Sequence, residues 1–346
     1  MAKNKVILVG AINHGNIPTC GATFKNQLFV KRFEEVFDKV VTVDTHNWTR
    51  RPWVLLEFII KLIFHRTAKL VISTSWESAD KIIKFLYYVR LNNNVFYWVV
   101  GGSLHKMVAE GKVRIDHMHY LKSVIVQGLG MCDELRKYGL DNVVYIPNSK
   151  DVTYVPSKPK RVDNKTHFVF LSRISKFKGC EYIFESVRAL NKKYYGRFDV
   201  TFYGRIEKEY DSFLSSIHEF QNVSYKGVLD LMSDNRAYDE LAKYDVMLFP
   251  TYWPSEGFPG IVIDSYIASL PIIATDWNLN RDVIEDGRDG WIIPVHNVEA
   301  LTKAMQTAIE HPDLLILMSR DCHVKALQFD YRSVLSESRL KKIGLL

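Results

Sequence analysis

The sequence has few cysteines and no long apolar run. Its 346 residues contain four cysteines, which form no C-x-x-C pair, so neither a disulfide framework nor a zinc site of common spacing is indicated. No stretch reaches the roughly 18 uninterrupted apolar residues that a membrane-spanning helix needs. The apolar stretch from Val6 to Ile12 is short and lacks a small-residue cleavage site, which argues against a signal peptide. We therefore expect a cytoplasmic protein without an integral membrane segment.

The composition is that of a globular chain with a basic balance. Hydrophobic residues make up 47% and charged residues 25% of the sequence, which is far from collagen-like or disordered chains. At about 150 residues per domain, the length predicts two domains. The net charge of +7 at pH 7 favours an anionic partner, which leaves open a nucleotide, a nucleic acid or an anionic membrane surface.

Short β-branched and aromatic runs alternate with helical patterns in both halves of the chain, which predicts βαβ units. The runs are nearly continuous in apolar residues, as expected for parallel strands covered on both faces. Strands are predicted at 5–10, 40–44, 70–74, 95–100, 123–127 and 143–147, and again at 167–172, 199–204, 222–227, 245–251, 271–276 and 291–294.

These patterns predict two Rossmann-like, doubly wound α/β domains that face each other across a cleft. The expected parts are an amino-terminal domain at 1–150, a linker at 151–165 rich in Pro and Lys, a carboxyl-terminal domain at 166–325, and a terminal helix at 326–346 that packs toward the amino-terminal domain. Because open sheets bind ligands at the carboxyl ends of their strands, we expect function in the loops that face the cleft.

The segment at 250–276 contains the most informative loop. Gly257, Pro259 and Gly260 follow a predicted strand and open a helix, whose first N–H groups can bind a phosphate or a sugar hydroxyl. Glu256 stands just before this helix, and Asp264 lies within it among apolar neighbours, where a carboxylate needs a partner. Alternatively, Glu256 caps the helix and Asp264 is solvated.

A second loop, within 170–187, carries cations beside a predicted helix start. Arg173, Lys176 and Lys178 precede Gly179 there. Arginine binds phosphates through paired hydrogen bonds and lysine binds them as a point charge, so this loop is a candidate diphosphate site. The alternative is an ordinary solvated basic loop.

Together these motifs resemble a known family. The spacing of Arg173, Lys178 and Gly179, the run from Pro250 to Asp264, and the segment VIEDGRDGWIIP at 283–294 are similar to the carboxyl-terminal domain of the family 4 retaining glycosyltransferases, which have the GT-B fold. The resemblance covers about 166–310 and is weaker in the first half, where 124–148 resembles the end of the family's amino-terminal domain.

The resemblance implies transfer of a sugar, of hexosyl type, from a nucleotide-sugar to an acceptor hydroxyl with retention at the anomeric carbon. It implies that Arg173 and Lys178 stabilise the departing diphosphate and that Glu256 holds the donor sugar. Asp264 stands where the family has a glutamate that holds the ribose, one methylene shorter. The implied donor-binding residues are Gly21, Gly204, Gly257, Phe258, Pro259, Gly260 and Asp264.

In the amino-terminal half, two loops after predicted strands are expected to face the cleft. Gly101, Gly102 and Ser103 follow the fourth strand and are candidate acceptor-side residues. The family often has a cleft histidine near this position, and His105 is the candidate here. A structural histidine is the alternative.

Neither a metal nor a cofactor is indicated. The sequence has no D-x-D pair, so the expected donor is a UDP- or GDP-linked sugar bound without a divalent metal. The cluster Asp116-His117-Met118-His119 lacks a third ligand at motif spacing and is interpreted as a surface helix or loop.

The run at 50–69 predicts a very apolar helix with a narrow polar stripe of Glu57, Lys61 and His65. With its flanking arginines, such a helix can lie in an anionic membrane interface. The alternative is a helix packed between the sheet and the surface.

We therefore expect a cytoplasmic, retaining, metal-independent glycosyltransferase, peripheral on the inner face of a membrane. Its expected partners are a nucleotide-sugar and a glycan or lipid-linked acceptor, in surface-polysaccharide or lipid-linked glycan synthesis. The alternatives are a nucleotide-sugar epimerase of the same fold and a non-catalytic nucleotide-sugar- or membrane-binding module. Nucleic-acid binding is not expected, because the cations are dispersed and no stacking module is present.

Overall fold

The computed structural model describes residues 4–16, 20–90, 94–157, 163–210, 212–231 and 235–346. The chain forms two compact units. The first unit comprises Met1–Asp151 together with Phe329–Leu346, and the second unit comprises Val152–Gln328.

The first unit contains a parallel six-stranded sheet in the order β2-β1-β3-β4-β5-β6. Its strands are β1 Lys5–Gly10, β2 Lys39–Asp44, β3 Lys69–Thr74, β4 Val95–Val99, β5 Ser123–Val126 and β6 Val143–Tyr145. Its helices before the second unit are α1 Gly21–Val36, α2 Trp53–Phe64, α3 Trp76–Val89, α4 Leu104–Ala109, α5 Ile115–His119 and α6 Leu129–Lys137.

The two faces of this sheet are buried by different helices, which explains why its strands are apolar throughout. Val6 and Leu8 of β1 point into a core that Phe29 and Phe33 of α1 share with the terminal segment. Their neighbours on β1 point to the opposite face, where α2, α3 and α6 cover the sheet.

The second unit contains another parallel six-stranded sheet, in the order β12-β11-β10-β7-β8-β9. Its strands are β7 Thr166–Leu171, β8 Phe198–Tyr203, β9 Val223–Tyr225, β10 Val246–Phe249, β11 Ile272–Thr275 and β12 Gly290–Ile293. Its helices are α7 Cys180–Tyr194, α8 Phe213–Ile217, α9 Ala237–Leu241, α10 Gly260–Ile267, α11 Asn280–Val283, α12 Val298–Glu310 and α13 Pro312–Ala326. Helices α7 and α12 bury one sheet face, and α10 contacts α9 and α13.

All twelve predicted strands are confirmed, with boundaries that shift by a few residues at most. Two parallel, doubly wound sheets with surrounding helices make up the α/β fold that the patterns predict. In the segment predicted as a linker, 151–165, the described residues form no helix or strand. Residues 158–162 of that segment lie outside the described residues.

The prediction of a single terminal helix at 326–346 is wrong. Beyond a 3-10 turn at Leu327–Phe329, two short helices follow, α14 Tyr331–Val334 and α15 Glu337–Lys342. The side chain of Asp330 accepts a hydrogen bond from the backbone N–H of Arg332 at 2.9 Å and so begins a new helix. Ser336 has an extended backbone and separates the two helices.

Candidate functional site

The second sheet reverses its winding direction between β7 and β10. The chain adds β8 and β9 on one side of β7 and then returns to add β10 on the other side. The loops that follow two such neighbouring strands leave a crevice at the carboxyl edge, where open α/β sheets bind ligands. Arg173 and Lys178 lie in the loop after β7, and Glu256 lies in the loop after β10.

Gly179 allows these two loops to approach each other. It has a φ of +76°, and a β-carbon built on it would lie 2.2 Å from the carbonyl oxygen of Pro250. Any other residue would therefore combine backbone strain with a steric clash. The adjacent Lys178 is held at the end of a 3-10 turn, Lys176–Lys178, directly before α7.

Lys178 and Glu256 form a buried ion pair. Their side chains are only 6% and 15% exposed, and Thr251 donates a hydrogen bond from Oγ1 to Oε2 of Glu256 at 3.2 Å. The ammonium of Lys178 also lies 5.5 Å from the ring centroid of Phe249 and 5.8 Å from that of Trp253. A cation and a carboxylate are thus fixed together at the switch point, each compensated by the other.

Arg173 stands beside this pair but is more accessible. Its side chain is 53% exposed and pairs with Glu207 at 2.9 Å, and its guanidinium stacks on Trp253 at 4.6 Å from the ring centroid. Trp253 therefore lies against both Arg173 and Lys178. The carboxyl edge of the second sheet thus carries a buried cation, Lys178, and an exposed one, Arg173.

The loop after β10 ends at the amino terminus of α10. Trp277 donates a hydrogen bond from Nε1 to the carbonyl of Trp253 at 2.7 Å, and Asn278 donates one from Nδ2 to the carbonyl of Glu256 at 3.0 Å. Pro259 precedes the helix, and no side chain caps its first turn. The start of α10 can therefore offer backbone N–H groups to an anion.

The other predicted residues of this loop are placed around the helix start. Phe258 and Pro259 are buried, whereas Gly257 and Gly260 are partly exposed. Asp264, in the second turn of α10, is 5% exposed, and Tyr238 donates a hydrogen bond to its Oδ1 at 2.5 Å. The carboxylate is thus buried rather than solvated, and the partner that its burial requires is a tyrosine of α9.

Gly204 has a structural reason to be glycine. It follows β8 with a φ of +143°, and a β-carbon there would lie 1.7 Å from the carbonyl oxygen of Ser172. The residue therefore lets the chain after β8 touch the beginning of the loop that carries Arg173.

The remaining predicted residues belong to the first unit. Gly21 is the first residue of α1, and its missing side chain faces open space. Gly101 has a φ of +98°, again with open space around it, Gly102 is buried, and Ser103 directly precedes α4.

His105 lies in the first turn of α4 and is half-buried. Its Nδ1 atom is buried without a hydrogen-bond partner within the described ranges of the chain. Burial and the nearby ammonium of Lys106 lower the pKa of this imidazole, which favours the neutral ring. A neutral imidazole with an open nitrogen can donate or accept a hydrogen bond, depending on its tautomer.

Sequence reasoning missed two charged residues at the carboxyl edge of the first sheet. Lys25 of α1 is buried and donates a hydrogen bond from Nζ to the carbonyl of Val99, the last residue of β4, at 3.2 Å. Burial lowers the pKa of this amine to about 7. Asp44, the last residue of β2, accepts hydrogen bonds from the backbone N–H groups of Ile12 and Asn13 in the loop after β1. For Asp44 the signal was a charge at the end of an apolar strand pattern, whereas Lys25, inside α1 between Phe24 and Asn26, left no such signal.

Four partners in the second unit were also missed. Thr251 and Trp253 lie inside the segment that we singled out, but nothing in the spacing shows that they face the ion pair. Glu207 and Tyr238 lie outside it, in loops and short helices that the apolar pattern does not mark. Only the fold brings these four residues to the predicted ones.

Two kinds of feature are absent from the described residues. No group of three or more His, Cys, Asp or Glu side chains is arranged to hold a metal ion in the described ranges. Among the helices so described, none has the length and apolar character that crossing a bilayer requires.

Comparisons with known proteins agree with this fold, and one of them covers much of the second unit. Residues 165–311 match the family model described as "Glycosyl transferases group 1". A curated relative from Haemophilus influenzae, an uncharacterized glycosyltransferase, is 22% identical over 204 residues, which make up 58% of this chain and 55% of the relative. This chain therefore spans about half the length of the curated relative that it matches.

Solved structures match over nearly the whole chain. Anabaena HepE in complex with UDP has a TM-score of 0.72 at 12% identity, over 99% of this chain and 100% of that chain. The lipopolysaccharide outer core galactosyltransferase WaaB has a TM-score of 0.73 at 14% identity, again over 99% and 100% of the two chains. The fold is therefore GT-B, and the match of residues 165–311 supports the group 1 glycosyltransferase superfamily.

Proposed function

We propose that this protein is a retaining glycosyltransferase that transfers a hexosyl group from a nucleotide diphosphate sugar to an acceptor hydroxyl without a divalent metal. The observation that carries this proposal is the buried pair of Lys178 and Glu256, placed beside the uncapped start of α10 at the switch point of the second sheet. It lies within the residues that match the group 1 glycosyltransferase model.

The charges of the site fit a diphosphate leaving group. As the sugar departs, negative charge develops on the diphosphate, and fixed cations and N–H groups stabilise it where it appears. In our proposal, Lys178 and Arg173 bind the diphosphate, and the backbone N–H groups of Phe258 and Gly260 bind phosphate and sugar oxygens. Glu256 accepts hydrogen bonds from the sugar while it keeps Lys178 in position.

Asp264 is proposed to bind the ribose. Its carboxylate already accepts a hydrogen bond from Tyr238 at 2.5 Å, and a carboxylate has further lone pairs for the ribose hydroxyls. Tyr238 thereby fixes the orientation of the shorter acidic side chain, which compensates for the missing methylene.

The first unit is proposed to bind the acceptor, with Gly101, Gly102 and Ser103 beside it and His105 acting on the donor sugar or the acceptor. The solved structures described above include one with UDP and one that acts on lipopolysaccharide. We extend this to a UDP- or GDP-linked donor and to a role in surface-polysaccharide or lipid-linked glycan synthesis. Residues 50–69 are proposed to contact the inner face of an anionic membrane.

Calorimetric titration with UDP, GDP, ADP and CMP in the presence of a chelator tests the donor site. We expect one nucleoside diphosphate to bind and Lys178→Ala to weaken it. Lys176→Ala is the matched control, because Lys176 is an exposed cation in the same loop. If no nucleotide binds, or if both variants weaken binding equally, the proposed donor site is wrong.

The reaction itself is tested with the donor sugars of the base so identified. The anomeric proton of the product, observed by NMR, should show the configuration of the donor. Isomerisation of the donor without transfer to any added acceptor would indicate the epimerase instead, and binding without turnover would indicate a binding module.

A further inference from the structure

An apolar groove opens between α2 and α3 of the first unit. Its volume is about 350 Å³, within the range of about 300–1,000 Å³ that small-ligand sites occupy. Val9 of β1 and Val43 of β2 are among its lining residues, Val54 and Phe58 line it from α2, and Phe85 lines it from α3. Such a lining offers an environment for a hydrocarbon chain and few partners for a polar ligand.

The outer face of α2, next to this groove, is unusually apolar for a surface. The exposed side chains at helical spacing are Trp53 at 57%, Leu56 at 60%, Ile60 at 43%, Ile63 at 51% and Phe64 at 78%. We call these five residues the α2 face. A contiguous apolar face of this kind marks an interaction surface on a protein that is otherwise folded.

The charges around the α2 face complement an anionic surface. Residues 50–90 contain eight Lys and Arg against three acidic residues. One of the three, Glu57, is paired with Lys61 within α2, and exposed Arg50 and Arg66 lie just beyond the two ends of the helix. Apolar residues flanked by cations are the pattern of a helix that lies in an anionic bilayer interface.

The groove reaches the edge where the acceptor is proposed to bind. Thr74, the last residue of β3, lines the groove, and its carbonyl accepts a hydrogen bond from the backbone N–H of Val100 at 3.3 Å. Val100 directly precedes Gly101. A chain held in the groove would therefore end near the loop at 101–103, with the Lys81 ammonium at the lining as a partner for an anionic headgroup.

We propose that the groove binds the hydrocarbon chain of an anionic lipid that carries the acceptor, while the α2 face lies in the bilayer that supplies this lipid. The identity of the lipid as acceptor carrier rests on the proposed function. The membrane contact of α2 rests on it as well, because the proposed function already includes residues 50–69 at a membrane. Binding of the hydrocarbon chain does not, because it follows from the lining of the groove.

Vesicle flotation tests the α2 face. We expect the protein to float with vesicles of phosphatidylcholine mixed with phosphatidylglycerol and much less with phosphatidylcholine alone. Leu56→Ser with Phe64→Ser should reduce the partition coefficient by at least about tenfold, since two apolar side chains that the bilayer would bury are lost. The control is Ile316→Ser with Leu317→Ser, which removes two apolar side chains, 54% and 58% exposed, from α13 of the second unit.

Binding of cis-parinaric acid, a fluorescent fatty acid, tests the groove. Ser78 lies at the groove lining and is partly buried, so Ser78→Trp should fill the groove. We expect it to weaken binding of the probe by at least about tenfold, which corresponds to the displacement of roughly two methylenes. Ser78→Ala is the control. Leu55→Trp, at a lining position that is 55% exposed, repeats the test without altering the core.

Three results would overturn the proposal: flotation that the α2 variants do not change, probe binding that neither tryptophan changes, or a wild-type dimer that the α2 variants dissociate. The last result would assign the α2 face to a second copy of the chain. Nucleotide titration of the same variants separates this proposal from the proposed function. The groove can fail to bind the probe while UDP or GDP still binds, or the probe can bind while no nucleotide does.

Discussion

The two sheets share a topology of parallel strands but differ at their carboxyl edges. In the second unit the edge is charged, and its charges are compensated in pairs, Lys178 with Glu256 and Arg173 with Glu207. In the first unit the edge holds an apolar groove and a buried amine, Lys25, whose pKa is lowered to about 7. Two sheets of the same kind thus carry paired charges at one carboxyl edge, where we propose the diphosphate, and an apolar groove at the other, where we propose the acceptor.

Breaking the buried pair should have the largest effect. We expect Lys178→Ala to lower kcat roughly 10²–10³-fold, as for loss of a donor that stabilises developing charge. It should also lower the free energy of unfolding by about 3–5 kcal/mol, because Glu256 is left buried without its partner.

The double variant Lys178→Ala with Glu256→Ala separates these two effects. It should recover much of the stability in urea unfolding, since no unpaired charge remains, but none of the activity. Equal stability of the two single variants and the wild type would show that the pair is solvated, and the contrast between the two edges would then fail.

The glycines at the two edges sharpen the comparison. Gly204 and Gly101 both have positive φ, but only at Gly204 would a β-carbon meet a neighbour, the carbonyl oxygen of Ser172. Gly101→Ala should cost about 1–3 kcal/mol of unfolding free energy from backbone strain alone. Gly204→Ala should cost clearly more, because the clash adds to the strain. Equal losses of unfolding free energy in urea would mean that the backbone around Gly204 is packed no more closely than that around Gly101.

Lys25→Met should have an effect that is large near pH 7 and becomes the smallest of these as the pH approaches 10.5. Between the folded pKa of about 7 and the unfolded value of 10.5, the unfolded wild type binds more protons than the folded one, so wild-type stability rises with pH. The variant lacks this term. The free energy of unfolding of the variant should therefore exceed that of the wild type most near pH 7 and below, and the difference should shrink as the pH rises toward 10.5. Loss of the hydrogen bond to Val99 lowers this difference by about 0.5–1.5 kcal/mol at every pH. Thermal unfolding across this range measures it, and a difference independent of pH would contradict a buried, titrating amine.

The strands and the loops of the candidate donor site could be predicted because both leave local signals. Continuous apolar runs mark β7 and β10, and glycines and charges mark the loops behind them. The pairing of Lys178 with Glu256 could not be predicted, since it depends on β10 lying next to β7, and strand order is set by packing of the whole sheet. Tyr238 and Lys25 were missed for the same reason, because their partners are distant in sequence.

The terminal segment at 326–346 shows the opposite error. Its apolar residues suggested one amphipathic helix, but the caps at Asp330 and Ser336 divide it. The hydrogen bond at Asp330 and the extended backbone at Ser336 prevail there over the longer apolar pattern. The segment still buries Val334 and Leu340 in the core of the first unit.

That last contact determines the order in which the protein can form on the ribosome. The first unit needs residues 329–346, whose Leu335 carbonyl accepts a hydrogen bond from Arg32 at 3.0 Å, whereas all of the second unit precedes them in the chain. Domains usually fold during synthesis in the order in which they emerge. Here the second unit can complete its core before residues 329–346 are available to pack on the face of the first sheet around Phe29 and Trp98. The half of the molecule that is synthesised first is therefore the half that is finished last.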